Sequence, residues 1–141
     1  YSHQRVKSQL NINNFFRFEF YPEEQMTDMA YPIYPEAIYR SIKRAVTLGV
    51  PIIITENGVA DKKDSLRSIF IERYLYAVSK AISEGADIRG YYYWSLMDNF
   101  EWAEGYEMKF GLYEVDYITQ KRSLREGSKR YKDIVSRFSN K

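Results

Sequence analysis

Residues 52–58 read Ile-Ile-Ile-Thr-Glu-Asn-Gly. Three β-branched apolar residues run straight into a carboxylate, an amide and a glycine. A short, wholly apolar run closed by a turn signal predicts a strand buried on both faces, as in a parallel sheet. A carboxylate at the C-terminal end of such a strand lies where α/β barrels gather their reacting groups. Glu56 is therefore the first candidate catalytic residue. A glutamate just past a strand is also an ordinary solvated or helix-capping side chain. No second carboxylate stands beside it in sequence, so any partner acid must come from elsewhere in the fold.

A second constellation is Trp94-Ser-Leu-Met-Asp-Asn-Phe-Glu-Trp102, followed by Ala-Glu-Gly-Tyr106. It too begins at the predicted end of a strand. Indole and phenol faces beside carboxylates suit a carbohydrate: rings stack on the apolar C–H face of a sugar, and carboxylates accept bonds from its hydroxyls. Tyr91 and Tyr93, alternate residues of the strand, read as core packing. Glu101 and Trp102, in a loop, read as ligand contacts.

The elements that must position these residues are legible from spacing. Pro35 followed by Ile38, Ile42, Ala45 and Val46 predicts a helix ending at Gly49. Residues 51–55 form the strand that leads to Glu56. Asp64 or Ser65 is the expected cap of a helix carrying Leu66, Ile69, Phe70, Tyr74, Ala77, Val78, Ala81 and Ile82, closed by Gly85. Residues 88–96 give a second strand, 97–110 a loop and 111–116 a short strand. Leu124, Tyr131, Ile134, Val135 and Phe138 predict a final helix. Residues 1–34 read as irregular, with an extended piece at 15–21. Helix–strand alternation with apolar strands indicates an α/β fold, a parallel sheet covered by helices. Two or three strands cannot close a barrel, which takes about 250 residues. The chain is then the C-terminal part of a barrel or a smaller open α/β unit.

Composition narrows the function classes. The chain has 141 residues, of which 45% are hydrophobic and 17% aromatic, enough for one domain with a core. A net charge of +2 with interleaved signs does not indicate nucleic acid. There is no cysteine, and His3 is the single histidine, so neither a disulfide nor a metal cluster is expected. No cofactor is implied. No apolar run approaches a membrane span and the N-terminus lacks a hydrophobic signal core, which points to a cytoplasmic protein without a membrane partner.

Thr55-Glu56-Asn57-Gly58, then Trp94 to Trp102, Gly105-Tyr106 and Phe110-Gly111-Leu112 resemble glycoside hydrolase family 1 in order and spacing. Tyr34-Pro35-Glu36, Val115-Asp116-Tyr117 and Lys121-Arg122 agree, so the resemblance runs across nearly the whole chain. It implies the C-terminal part of a (β/α)8 barrel and a retaining β-glycosidase. Glu56 would be the nucleophile. Glu101 and Trp102 would bind hydroxyls of the non-reducing-end sugar, Trp94 would form the platform beneath it, and Phe110 would line the same pocket. Tyr1 would match the tyrosine that hydrogen-bonds the nucleophile. The peptide between Trp94 and Ser95 would be cis.

The departures from the family pattern carry as much weight. Its acid/base glutamate lies in an Asn-Glu-Pro motif, which does not occur here. Residues 1–141 therefore resemble a partial barrel domain, with no second domain, whose remainder lies in the same or a companion chain. Tyr31 stands where the family often has tryptophan near the outer, leaving-group subsite. Tyr74 takes the place of a helix histidine, and Leu124 that of a frequent proline. Glu101 would repel a phosphate, so a neutral β-glucoside or β-galactoside is the expected substrate. The alternative is a catalytically silent fragment or pseudo-enzyme that binds carbohydrate or a protein partner. Alone, these residues would expose apolar strand edges and self-associate.

Overall fold

The computed structural model describes residues 4–8 and 16–139. Tyr1, His3 and Phe15 lie outside them. In chain order the elements are β1 (Arg5–Ser8), β2 (Phe16–Glu19), α1 (Glu36–Val46), β3 (Ile52–Asn57), α2 (Arg67–Ser83), β4 (Ile88–Tyr93), β5 (Tyr113–Val115), β6 (Arg122–Leu124) and α3 (Lys129–Ser139). A single 3₁₀ turn spans Trp102–Glu104.

The centre is β3–α2–β4. The two strands pair in parallel, with Ile54 opposite Tyr91 and Asn57 opposite Tyr93. Parallel strands need a long crossover, and α2 supplies it. Its stripe Phe70, Ile71, Tyr74, Val78 and Ala81 is buried. Phe70, Ile71 and Tyr74 pack with Val59, Tyr93 and Leu112, and Val78 and Ala81 pack with Ile42 of α1 and Ala86. Ile52, Ile54, Ile88 and Tyr91 lean on the second cluster. Gly49 and Gly85 end α1 and α2 with positive φ, as a glycine stop should.

Four expectations are corrected. The strand before Glu56 is covered on its helix side only: Ile53 is 56% exposed and Tyr92 on β4 is 62% exposed. Among the described residues β3 and β4 pair only with each other, so the outer edge of each strand is open. The cap of α2 is Asp61 rather than Asp64 or Ser65. Its carboxylate accepts the backbone N–H groups of Ser65 (3.2 Å), Leu66 (2.7 Å) and Arg67 (2.8 Å). The buried run 57–61 brings that charge under the positive end of the helix. Leu124 belongs to β6, where it pairs with Tyr113 in an antiparallel hairpin, and not to the last helix. Asp116 shapes the connection by accepting N–H bonds from Ile118 and Thr119. Finally, the N-terminal stretch holds β1 as well as the extended piece, paired antiparallel with β2. Among the described residues no helix is long and apolar enough to cross a membrane.

Candidate active site

Strands β3 and β4 end side by side, and their ends are locked. The Trp94 N–H donates to the Asn57 carbonyl (3.0 Å), and the Tyr91 hydroxyl donates to Asn57 Oδ1 (2.8 Å). A Cβ on Gly58 would lie 1.6 Å from the Trp94 carbonyl oxygen. Only glycine lets the backbones approach so closely. This sets Glu56, exposed, at the end of one strand and Trp94, half-buried, at the end of the next. The Trp94–Ser95 peptide is cis, as the resemblance implies. Glu56 also borders a groove of about 330 Å³ between α1 and β3, floored by Ile38, Ile42 and Ile54.

Beyond Trp94 the chain is stitched to the returning segment. Ser95 N–H donates to Phe110 O (3.3 Å), Leu112 N–H to Ser95 O (2.8 Å) and Tyr113 N–H to Leu96 O (2.9 Å). Asp98 is buried, and its carboxylate accepts from Gly111 N–H (2.9 Å), Val115 N–H (3.4 Å) and Arg125 Nη2 (2.8 Å). From this base a tight turn projects. Glu101 N–H donates to Gly105 O (2.6 Å), and Trp102, with φ of 43°, stands 84% exposed. Phe110 is buried, and its carbonyl accepts the Ser95 N–H.

Tyr31 lies on a turn closed by Thr27, whose N–H and Oγ1 both donate to the Tyr31 carbonyl. The turn is tied to the loop after Glu56 by Asp28 N–H donating to Ala60 O (3.0 Å). Burial, and then the charge of Glu101, push the Tyr31 phenol up to about 12, so it stays a neutral donor through ordinary pH. The structure thus brings Glu56 and Trp94 to adjoining strand ends, and Tyr31 within the field of Glu101. Tyr1 lies outside the described residues.

Sequence reasoning missed the groups beneath these residues. Arg67 is fully buried. Its Nη1 donates to Tyr93 Oη (2.8 Å), Phe110 O (3.0 Å) and Val59 O (3.2 Å). Its Nη2 donates to Asp61 O (2.9 Å) and Lys109 O (3.0 Å), and its Nε to Asp64 Oδ1 (2.9 Å). Burial pushes the guanidinium pKa down, but the Tyr93 hydroxyl and the Asp64 carboxylate hold it above its ordinary value. A signal existed: Arg67 sits in helical register with Phe70, Ile71 and Tyr74, on the face that had to be buried. The Asp98–Arg125 pair, by contrast, joins two loop residues and has no periodic signature.

Residues 2–139 match the profile of glycosyl hydrolase family 1. A β-galactosidase of Pyrococcus woesei is 46% identical over 106 residues, which cover 75% of this chain and 21% of that protein. A 6-phospho-β-galactosidase of Staphylococcus epidermidis is 38% identical over 131 residues, covering 83% of this chain and 28% of that protein. The structure of a β-glycosidase from Pyrococcus horikoshii superposes with a TM-score of 0.82 at 41% identity, over 94% of this chain and 32% of that one. This chain therefore spans 21–28% of the length of these two curated relatives. The parallel strands and their covering helices are part of an α/β barrel, and the alternative of a smaller open unit falls away. The chain belongs to glycosyl hydrolase family 1.

Proposed function

We propose that this chain is the nucleophile-bearing part of a retaining β-glycosidase acting on neutral β-glucosides or β-galactosides. The observation that supports this most is the joint ending of β3 and β4, which sets exposed Glu56 at the C-terminal end of one parallel strand and Trp94 just past the end of its neighbour. Glu56 attacks the anomeric carbon as the bond to the leaving oxygen breaks. A second carboxylic acid gives that oxygen its proton. Water then attacks the same carbon, passes its proton to the second carboxylate and releases Glu56. The second acid and the rest of the sugar pocket come from the remainder of the barrel, in the same or a companion chain. The open face carrying Ile53 and Tyr92, together with the groove beside β3, is the surface that the remainder covers.

Trp94 serves as the platform, Glu101 and Trp102 take the hydroxyls, Phe110 backs the pocket wall, and Tyr31 faces the outer subsite. Glu101 makes a phosphorylated sugar a poor fit, because two anions would share one pocket. The test is incubation of the full-length protein with an activated 2-deoxy-2-fluoro glucoside, followed by peptide mass analysis. The expected result is a fluoroglycosyl adduct on Glu56. An unlabelled Glu56 would remove the nucleophile assignment.

A further inference from the structure

We infer that Arg67 is a positioning residue for both the nucleophile and the sugar platform. It is the one side chain among those described here that reaches all three stretches of backbone meeting at the site. Through Val59 O and Asp61 O it holds the loop that leaves Glu56. Through the Tyr93 hydroxyl it holds the residue before Trp94, and Tyr93 is itself the ladder partner of Asn57. Through Lys109 O and Phe110 O it holds the returning segment. The Phe110 carbonyl also accepts the Ser95 N–H, so the guanidinium and the Trp94–Ser95 segment share one acceptor.

The chemistry of the group fits that task. A guanidinium presents five N–H donors in a rigid plane, and here all three nitrogens are engaged: Nη1 meets two carbonyls and the phenol, Nη2 two carbonyls and Nε Asp64. Lysine would offer three donors from a single point and could not span the same acceptors. A simple charge would not need this geometry. Loss of the fork leaves the strands paired but frees their ends to shift, and a shift of about 1 Å costs on the order of 100-fold in rate.

The inference rests on the glycosidase reading, and its test separates the two. In the full-length protein, Arg67→Lys and Tyr93→Phe are compared with the unsubstituted protein by thermal melting and by active-site titration. The titrant is a chromogenic 2-deoxy-2-fluoro glucoside, and turnover of an ordinary aryl β-glucoside is then expressed per titrated site. The expected result is nearly one titratable site per folded chain, with kcat per site lower by about 100-fold in Arg67→Lys and about tenfold in Tyr93→Phe. Tyr93→Phe keeps the buried ring and removes only the hydroxyl, so it carries the test if Arg67→Lys does not fold. A merely structural role would lower the number of titratable sites and leave kcat per site unchanged, and that outcome overturns the inference alone. No burst in the unsubstituted protein overturns the glycosidase reading and this inference with it.

Discussion

Glu56 and Glu101 are the two carboxylates proposed to meet one sugar, and the chain builds them in opposite ways. Glu56 closes a strand whose end is fixed by the Asn57–Trp94 bond and by a buried arginine whose three nitrogens are all engaged. Glu101 opens a tight turn whose neighbour Trp102 is almost wholly in solvent. The base of that turn is held by Asp98 and Arg125, and Arg125 Nε is buried without a hydrogen-bond partner among the described residues. A reacting carboxylate must be placed to a fraction of an ångström, whereas hydroxyl recognition tolerates a loop that settles on its ligand. The difference suggests that support at the nucleophile acts on rate, and support at the loop acts first on stability.

The sharpest separation comes from two substitutions. Glu56→Gln, which keeps the size of the side chain, is expected to change the unfolding free energy by about 1 kcal/mol or less. It should still lower kcat on the order of 10⁴-fold or more, because an amide cannot form the glycosyl ester. Asp98→Ala should do the reverse. It leaves the buried Arg125 guanidinium with only the exposed Glu114 carboxylate at 4.0 Å and strips the Gly111 and Val115 N–H groups of their acceptor, at a cost of about 3–5 kcal/mol in unfolding free energy. Denaturant unfolding and steady-state rates on both variants would check this; equal stability losses at the two positions would erase the contrast.

A smaller effect tests the loop itself. Glu101→Gln removes charge-assisted hydrogen bonds worth about 1.5–3 kcal/mol, so kcat/KM for a neutral aryl β-glucoside should fall roughly 10- to 100-fold. The same change removes a negative charge from the pocket. The ratio of activity on the 6-phosphorylated glucoside to that on the neutral one should therefore rise. A ratio that stays fixed would show that Glu101 does not select against phosphate. The kinship with a 6-phospho-β-galactosidase makes this comparison the direct one.

Much of this arrangement was legible before any coordinates. The run Ile52 to Ile54 could only be a sheet strand, and period 3.6 in Phe70, Tyr74, Ala77 and Ala81 could only be a buried helix face. Glu56 and Trp94 then fell at the ends those elements dictate, and Glu101 in the loop beyond. What stayed hidden depends on contacts between distant segments. Arg67 was in register with the buried stripe, yet a charge there has meaning only once its acceptors, 3 to 43 residues away, are known to converge on it. Asp64 and Ser65 stand nearer the predicted helix start, and Asp61 caps α2 only because the buried 57–61 run brings it underneath. Ile53 belongs to an apolar run that reads as buried, yet it is exposed because no described residue covers that face.

The helix that carries Arg67 also reaches the segment leading from Tyr31, the residue proposed to face the outer subsite, and the smallest predicted effect tests that contact. Tyr74 is fully buried, stacked on Phe70 at 4.0 Å, and its hydroxyl accepts the Tyr34 N–H at 3.0 Å, three residues from Tyr31. Burial pushes its phenol up to about 12, whereas an unfolded tyrosine titrates near 10. The neutral phenol therefore contributes stability that is fully present below about pH 10 and is lost as pH rises toward about 12. Tyr74→Phe abolishes that titration together with the hydrogen bond. At pH 8 the variant should be less stable by about 1 kcal/mol, the net worth of one such bond. At pH 11 the gap should narrow by about 1 kcal/mol, because only the unsubstituted protein then loses stability to ionisation of this phenol in its unfolded chain. Urea unfolding at the two pH values measures both gaps. A gap that widens at pH 11 would mean that Tyr74 ionises more easily in the folded protein than in the unfolded one. In that case the turn bearing Tyr31 rests on something other than this buried hydroxyl.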